Sequence, residues 1–217
     1  MSIANFDFDR ALNALLYVAN RLKQRDIHKI FKVLYFADMA HLSLYGRAIT
    51  RDRYVAMKYG PVPSAIYDMV KAVRGESWFS LDELKAFFDA DGMIITPKRD
   101  ADEGFLSMTD LEQLDIAINK YAKFRFDKMT QVSHGSAWQK AWDNPDTDDI
   151  AIEDILAETG ADEAYIKYVV ESITAQKEMT QCSSKFASIL RARERVLPLI
   201  GWCNPRVPHR SSGGALR

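Results

Sequence analysis

The chain has 217 residues, 47% of them hydrophobic and 27% charged, with a formal net charge of -1 at pH 7. That length and mix supply a real core and exclude wholesale disorder, while the lack of any run of about 18 apolar residues excludes a membrane-spanning helix. Two cysteines, Cys182 and Cys203, are too few for a disulfide framework or a multi-cysteine zinc site. Residues 1–10 carry Asp7 and Asp9 and hold no signal-peptide core, so a cytoplasmic protein with two free thiols is expected.

Taken in chain order, residues 8–22 predict an amphipathic helix, because Leu12, Leu15, Leu16, Ala19 and Leu22 recur three and four apart. Asp26 is placed to cap a second helix over 27–45, which Gly46 ends. Residues 53–58 predict a short extended segment. The run Gly60-Pro61-Val62-Pro63 predicts a turn, since a residue before proline is pushed out of helical space. A third helix is expected from Pro63 or Ser64 to just before Gly75.

Two capping boxes follow. Ser80 with Glu83, stapled by Phe79 and Leu84, predicts a helix over 80–88, and Thr109 with Glu112 predicts one over 110–123. Between them, 93–96 and 104–108 read as a hairpin. Shorter helices are expected at 127–133 and 136–142. From Asp162 the helical pattern resumes, as one helix or as two joined near Cys182-Ser183-Ser184, with Pro198 and Pro205 marking its end. The fold class is mainly α with a small β-hairpin. It comprises a compact helical domain over 1–160, a C-terminal helical extension over 161–203 and a flexible tail over 204–217.

Charge is unevenly spread. Residues 21–58 hold nine Lys or Arg against Asp26, Asp38 and Asp52, whereas 143–163 hold nine acidic residues and no Lys or Arg. The stretch 185–217 turns basic again, with seven Arg or Lys and one Glu. Alternation of this kind predicts mutual neutralisation within the fold or steering of a charged protein partner. It argues against a uniformly basic nucleic-acid surface.

Three strings stand out. The first runs Lys32-Val33-Leu34-Tyr35-Phe36-Ala37-Asp38-Met39-Ala40-His41-Leu42 and on to Tyr45-Gly46-Arg47. The second is Arg53-Tyr54-Val55-Ala56-Met57-Lys58-Tyr59-Gly60-Pro61-Val62-Pro63, and the third is Ser133-His134-Gly135-Ser136-Ala137-Trp138. In this order they resemble the Panacea domain, the family of SocA-like antitoxins and some phage-associated proteins, over roughly residues 10–160. The resemblance implies a compact helical binding domain whose partner is a cognate protein toxin, encoded by the adjacent gene. It also implies two modes of action: direct neutralisation, or delivery of the toxin to a cytoplasmic protease.

The residues themselves give no reason to expect catalysis. Asp38 and His41, three apart on one helix, could be an acid and a base or two metal ligands. A structural polar pair fits better, because a metal site needs three or four ligands. No nucleophile elbow, dinucleotide fingerprint or phosphate loop occurs. No enzyme activity, metal or cofactor is therefore expected.

The candidate partner-binding residues are Arg47, Arg51, Arg53, Tyr54, Tyr59, Pro61 and Pro63. A proline-stiffened turn loses little entropy on binding, and Arg with Tyr is the composition of interface hot spots. The same turn could equally be a connection with its tyrosines packed beneath it. Trp138 and Trp142 are expected in the core. DNA binding is the alternative function, since helices over 63–74 and 80–88 followed by a hairpin suggest a winged helix. Residues 63–88 offer only Lys71, Arg74 and Lys85 against four acids, however, which leaves no surplus for phosphates.

Overall fold

A computed structural model describes residues 6–77 and 82–196 of the chain. The described residues divide after Lys177, within a long final helix. They form eight α-helices and two antiparallel strand pairs, the mainly α class with minor β that the sequence predicts.

Helix α1 (Phe8–Arg21) is capped by Asp7, and every residue from Ala11 to Ala19 is buried. The one polar member, Asn13, donates to Asp9 O at 2.8 Å and accepts the Asp102 N–H at 2.8 Å. Helix α2 (Ile27–Tyr45) has the cap and stop expected of it: Asp26 Oδ1 takes the Lys29 N–H at 2.9 Å, and Gly46 adopts φ +69°. It is the central element. Around it pack α1, strand β2 (Gly60–Pro63), α4 (Met108–Tyr121), α5 (Phe126–Ser133) and α7 (Ile152–Glu158).

Strand β1 (Tyr54–Met57) pairs with β2 through a two-residue turn, so the proline run is a strand and not the turn expected of it. The prolines are tolerated because β2 is an edge strand, whose missing N–H groups cost the hairpin no ladder bond. The other edge of β1 is covered by the acidic loop: Ala56 N–H donates to Asp148 O (2.7 Å) and Ile150 N–H to Tyr54 O (2.9 Å). Helix α3 (Ser64–Arg74) follows directly.

Two further expectations are corrected. Within the expected 80–88 helix, residues 82–86 form a short 3-10 turn, and Phe88–Asp91 is strand β3. Its partner is β4 (Ile94–Pro97), across the turn at Gly92, so 104–108 takes no part in the hairpin. Helix α4 begins at Met108, and its reciprocal cap is Ser107 with Asp110, not Thr109 with Glu112. The expected Ser80 cap and Phe79 staple lie outside the described residues.

Helices α6 (Ser136–Trp142) and α8 (Glu163–Val196) complete the described residues. The latter passes unbroken through Cys182-Ser183-Ser184. Cys203 and the expected tail lie outside the described residues. No helix among the described residues is long and apolar enough to cross a membrane.

Two hydrophobic clusters form the interior. The larger joins α1, α2, α3 and α4 with the β3–β4 hairpin. The smaller gathers Tyr35, Leu42, Tyr54, Ala56, Trp138, Leu156 and Val169 under β1. This second cluster positions the candidate site.

Candidate functional site

Asp38 is fully enclosed on α2 and holds the loop that follows. Its Oδ1 accepts the Ile49 and Thr50 N–H groups at 2.7 and 3.0 Å, and its Oδ2 accepts the Tyr54 hydroxyl at 2.8 Å. Burial pushes the Asp38 carboxyl above its usual range, against the pull of these donors and the Thr50 hydroxyl. His41 serves a separate network. Its Nδ1 lies 2.8 Å from Arg47 O, while Nε2 faces Thr109 Oγ1 (3.1 Å) and Asp110 Oδ1 (3.0 Å). The two residues therefore share a helix and deep burial, but each binds its own partners.

Asp110 also pairs with Arg10 (2.6 Å) and Arg47 (2.9 Å). Burial alone would raise its carboxyl; contacts from His41 and Ser107, with the Arg47 charge, hold it well below the usual range. Thus α1, α2 and α4 are fastened at one buried carboxylate.

The β1–β2 turn is braced from beneath. Lys32, 1% exposed, donates from Nζ to Pro61 O at 2.7 Å, and burial lowers its amine to about 7. Gly60 has φ +97°, and a Cβ there would meet the Ser133 hydroxyl and lie 2.8 Å from Lys32 Cε. Trp138 Nε1–H donates to Met57 O at 3.0 Å. His28 stands against Tyr59 O at 3.2 Å, and its ring is lowered to about 4, chiefly by burial and then by the Lys32 charge. Glu158, from α7, completes the support by accepting the Ala137 N–H (2.7 Å) at the start of α6.

The seven candidate partner-binding residues separate into three groups. Tyr54, Pro61 and Pro63 are buried. Arg47 is tied to Asp110 and Ser107, and Arg53 to Asp149 (2.8 Å) and Ser64 (3.2 Å). Arg51 is exposed, has a left-handed φ of +53° and makes no hydrogen bond or ion pair among the described residues. Tyr59 is 49% exposed, and around it lie residues that the sequence reading missed.

Met57 precedes Tyr59 in the turn, 39% exposed. Phe126, 47% exposed, meets the Tyr59 ring at 5.3 Å in an edge contact. Trp142, expected in the core, is 47% exposed and stacks on buried Trp138, which stacks in turn on His134. The geometry is a rigid hairpin tip with an aromatic surface beside it.

The family model for the SocA-like antitoxins, the Panacea domain, matches residues 30–139, just over half of the chain. The chain belongs to that family. No curated protein and no solved structure matches it. In this Panacea protein the three strings converge: Asp38 to Tyr54 joins the first to the second, and Met57 to Trp138 joins the second to the third. Among the described residues, no group of three or more His, Cys, Asp or Glu could hold a metal ion. The missed residues had one legible signal each at most: Phe126 begins a short amphipathic helix, and Trp142 lies four residues from Trp138, on one face of theirs.

Proposed function

We propose that this Panacea protein is an antitoxin that neutralises a cognate protein toxin by direct contact, through the surface around Tyr59. It acts as a cytoplasmic, non-catalytic binder and needs no cofactor. One observation carries the reading: Met57 and Tyr59, on a hairpin fixed by Lys32, Trp138 and two prolines, and Phe126 and Trp142, on helices α5 and α6 beside it, stay between 39% and 49% exposed. Aromatic and Met side chains are enriched in interface cores, and a pre-ordered loop loses little entropy on binding.

Co-expression with the product of the neighbouring gene tests the proposal. Rescue of growth together with a stable complex supports it, and Met57→Ala with Tyr59→Ala should weaken the complex by about 30-fold, the loss of roughly 2 kcal/mol at a hot spot. Rescue with loss of the toxin polypeptide would replace direct neutralisation with delivery to a protease. A harmless neighbour that does not co-purify overturns the antitoxin reading.

A DNA-binding role has less to stand on. Residues 82–86 form a 3-10 turn where a recognition helix would be needed.

A further inference from the structure

Next to the aromatic surface, a groove runs between the start of α2, the β3–β4 turn and the start of α5. We infer that it takes an acidic, apolar stretch of the partner polypeptide, one carboxylate of which serves as the counter-ion that Lys29 lacks. The inference rests on the antitoxin reading and specifies which chemistry the partner brings.

The floor is apolar. Met93 and Phe126 are 55% and 47% exposed along it, and Met129 lies beneath. A neighbouring depression lined by Lys23, Arg25, Ile94 and Thr96 shares Gln24 and Asp26 with the groove and extends it along the hairpin. At the other end the Phe126 ring touches Tyr59. Groove and aromatic surface are thus continuous.

The walls are cationic. Lys23, Arg25, Lys29 and Arg125 line the two depressions, and none pairs with a carboxylate among the described residues. Asp26 is the one acid in the lining, and it is engaged in capping α2. Lys29 carries the strongest demand. It is 5% exposed, and its ammonium rests on two neutral acceptors, Gln24 Oε1 (2.6 Å) and Ala122 O (3.1 Å). Buried charges are ordinarily paired, so a buried ammonium in a groove wall without a carboxylate is matched to an anionic ligand.

A polypeptide fits better than a nucleic acid. Bases need free aromatic faces to stack on, but the Phe126 ring already packs on His28 at 4.2 Å and meets Tyr59 in an edge contact. Met side chains make up the rest of the floor, with Ile94 in the neighbouring depression, which suits apolar side chains alternating with acidic ones.

The test uses the full chain and a fluorescent 12-residue peptide in which Glu alternates with Leu and Phe, read by anisotropy. Saturable binding is expected, at least ten-fold tighter than for the same peptide with Lys in place of Glu and than for a 12-residue oligothymidylate. Lys29→Met and Arg125→Glu should each weaken it ten-fold or more. Arg125 is exposed, so its variant remains informative if Lys29→Met misfolds.

Equal binding of the Lys peptide, tighter binding of the oligothymidylate, or indifference to Arg125→Glu overturns the inference. So does self-association of the chain that Arg125→Glu abolishes, which would assign the groove to a second copy. In the co-expression assay, rescue lost with Met57→Ala and Tyr59→Ala but retained with Arg125→Glu would sink the groove and keep the antitoxin. Peptide binding without any neighbouring toxin would do the reverse.

Discussion

The Tyr54 hydroxyl donates to Asp38 Oδ2 across 2.8 Å, tying the start of the first hairpin to the middle of the central helix. Both side chains are buried, at 4% and 3% exposure, so neither end can be rescued by water. Asp38→Asn places an NH2 group against donors and should cost about 2–4 kcal/mol; Tyr54→Phe should cost about 1–2 kcal/mol. Denaturant titration reads both. Tyr54→Phe should leave toxin affinity per folded molecule unchanged, because the hydroxyl faces inward.

Gly60 is required twice over, by its φ of +97° and by the side chains that fill the space of a Cβ. Gly60→Ala should destabilise by more than about 2 kcal/mol, combining left-handed strain with overpacking. Adding Ser133→Ala should recover part of that loss, since the Ser133 hydroxyl is one of the obstructing atoms. A thermal-melt cycle showing strict additivity would contradict the shared contact.

Lys32 makes stability pH-dependent in a defined window. Its amine titrates near 7 when folded and at 10.5 when unfolded, so between those values the unfolded chain binds more protons and stability rises with pH. Below about pH 7 both states are charged, and the burial cost is present in full. Lys32→Met should flatten the rise between pH 7 and 10 and should stabilise at neutral pH. A slope unchanged by the substitution would remove Lys32 as its source.

Arg53 binds Asp149 with Nη1 2.8 and 3.1 Å from the two carboxylate oxygens, so it spends its charge within the fold. With the pair about half-exposed on the arginine side, a double-mutant cycle of Arg53→Ala and Asp149→Ala should return a coupling of about 0.5–1 kcal/mol. Toxin affinity should respond far less than to Tyr59→Ala.

Arg51 holds a backbone conformation that favours glycine. Arg51→Gly should raise stability by about 0.5–1 kcal/mol, the relief of strain less the added freedom of the unfolded chain. A melt lowered by the substitution would reveal a contact made by the arginine side chain.

Local patterns were legible in the sequence, and long-range satisfaction was not. Asp26, Gly46 and the three- and four-residue spacing define α1 and α2 because caps and amphipathic faces act within one element. The proline strand was read as a turn because a residue before proline is pushed out of helical space, a demand that an extended strand meets equally well, and nothing local shows that Lys32, 29 residues away, takes the Pro61 carbonyl. Asp91-Gly92 is a hairpin signal in its own right, yet the Ser80 and Glu83 capping pattern was read as opening a helix that ran through residue 88. Thr109 was taken for a cap, whereas its hydroxyl faces His41 from 68 residues away. Of the candidate site, only Tyr59 was named from the sequence; Phe126, Trp142 and the Lys29 wall depend on packing that no single segment encodes.

Glu158 and the acidic loop complete the hairpin from far along the chain. The Asp148 carbonyl closes the free edge of β1, and the Glu158 carboxylate closes the open end of α6, which carries Trp138 beneath Met57. A ribosome adds about 5–20 residues per second, so roughly 5–20 seconds separate the emergence of the hairpin tip from that of its last brace. During that interval the tip is made but not fixed. The tip is thus fixed only once residue 158 has been made, and a chain cut short at residue 139, where the family match ends, would lack both braces.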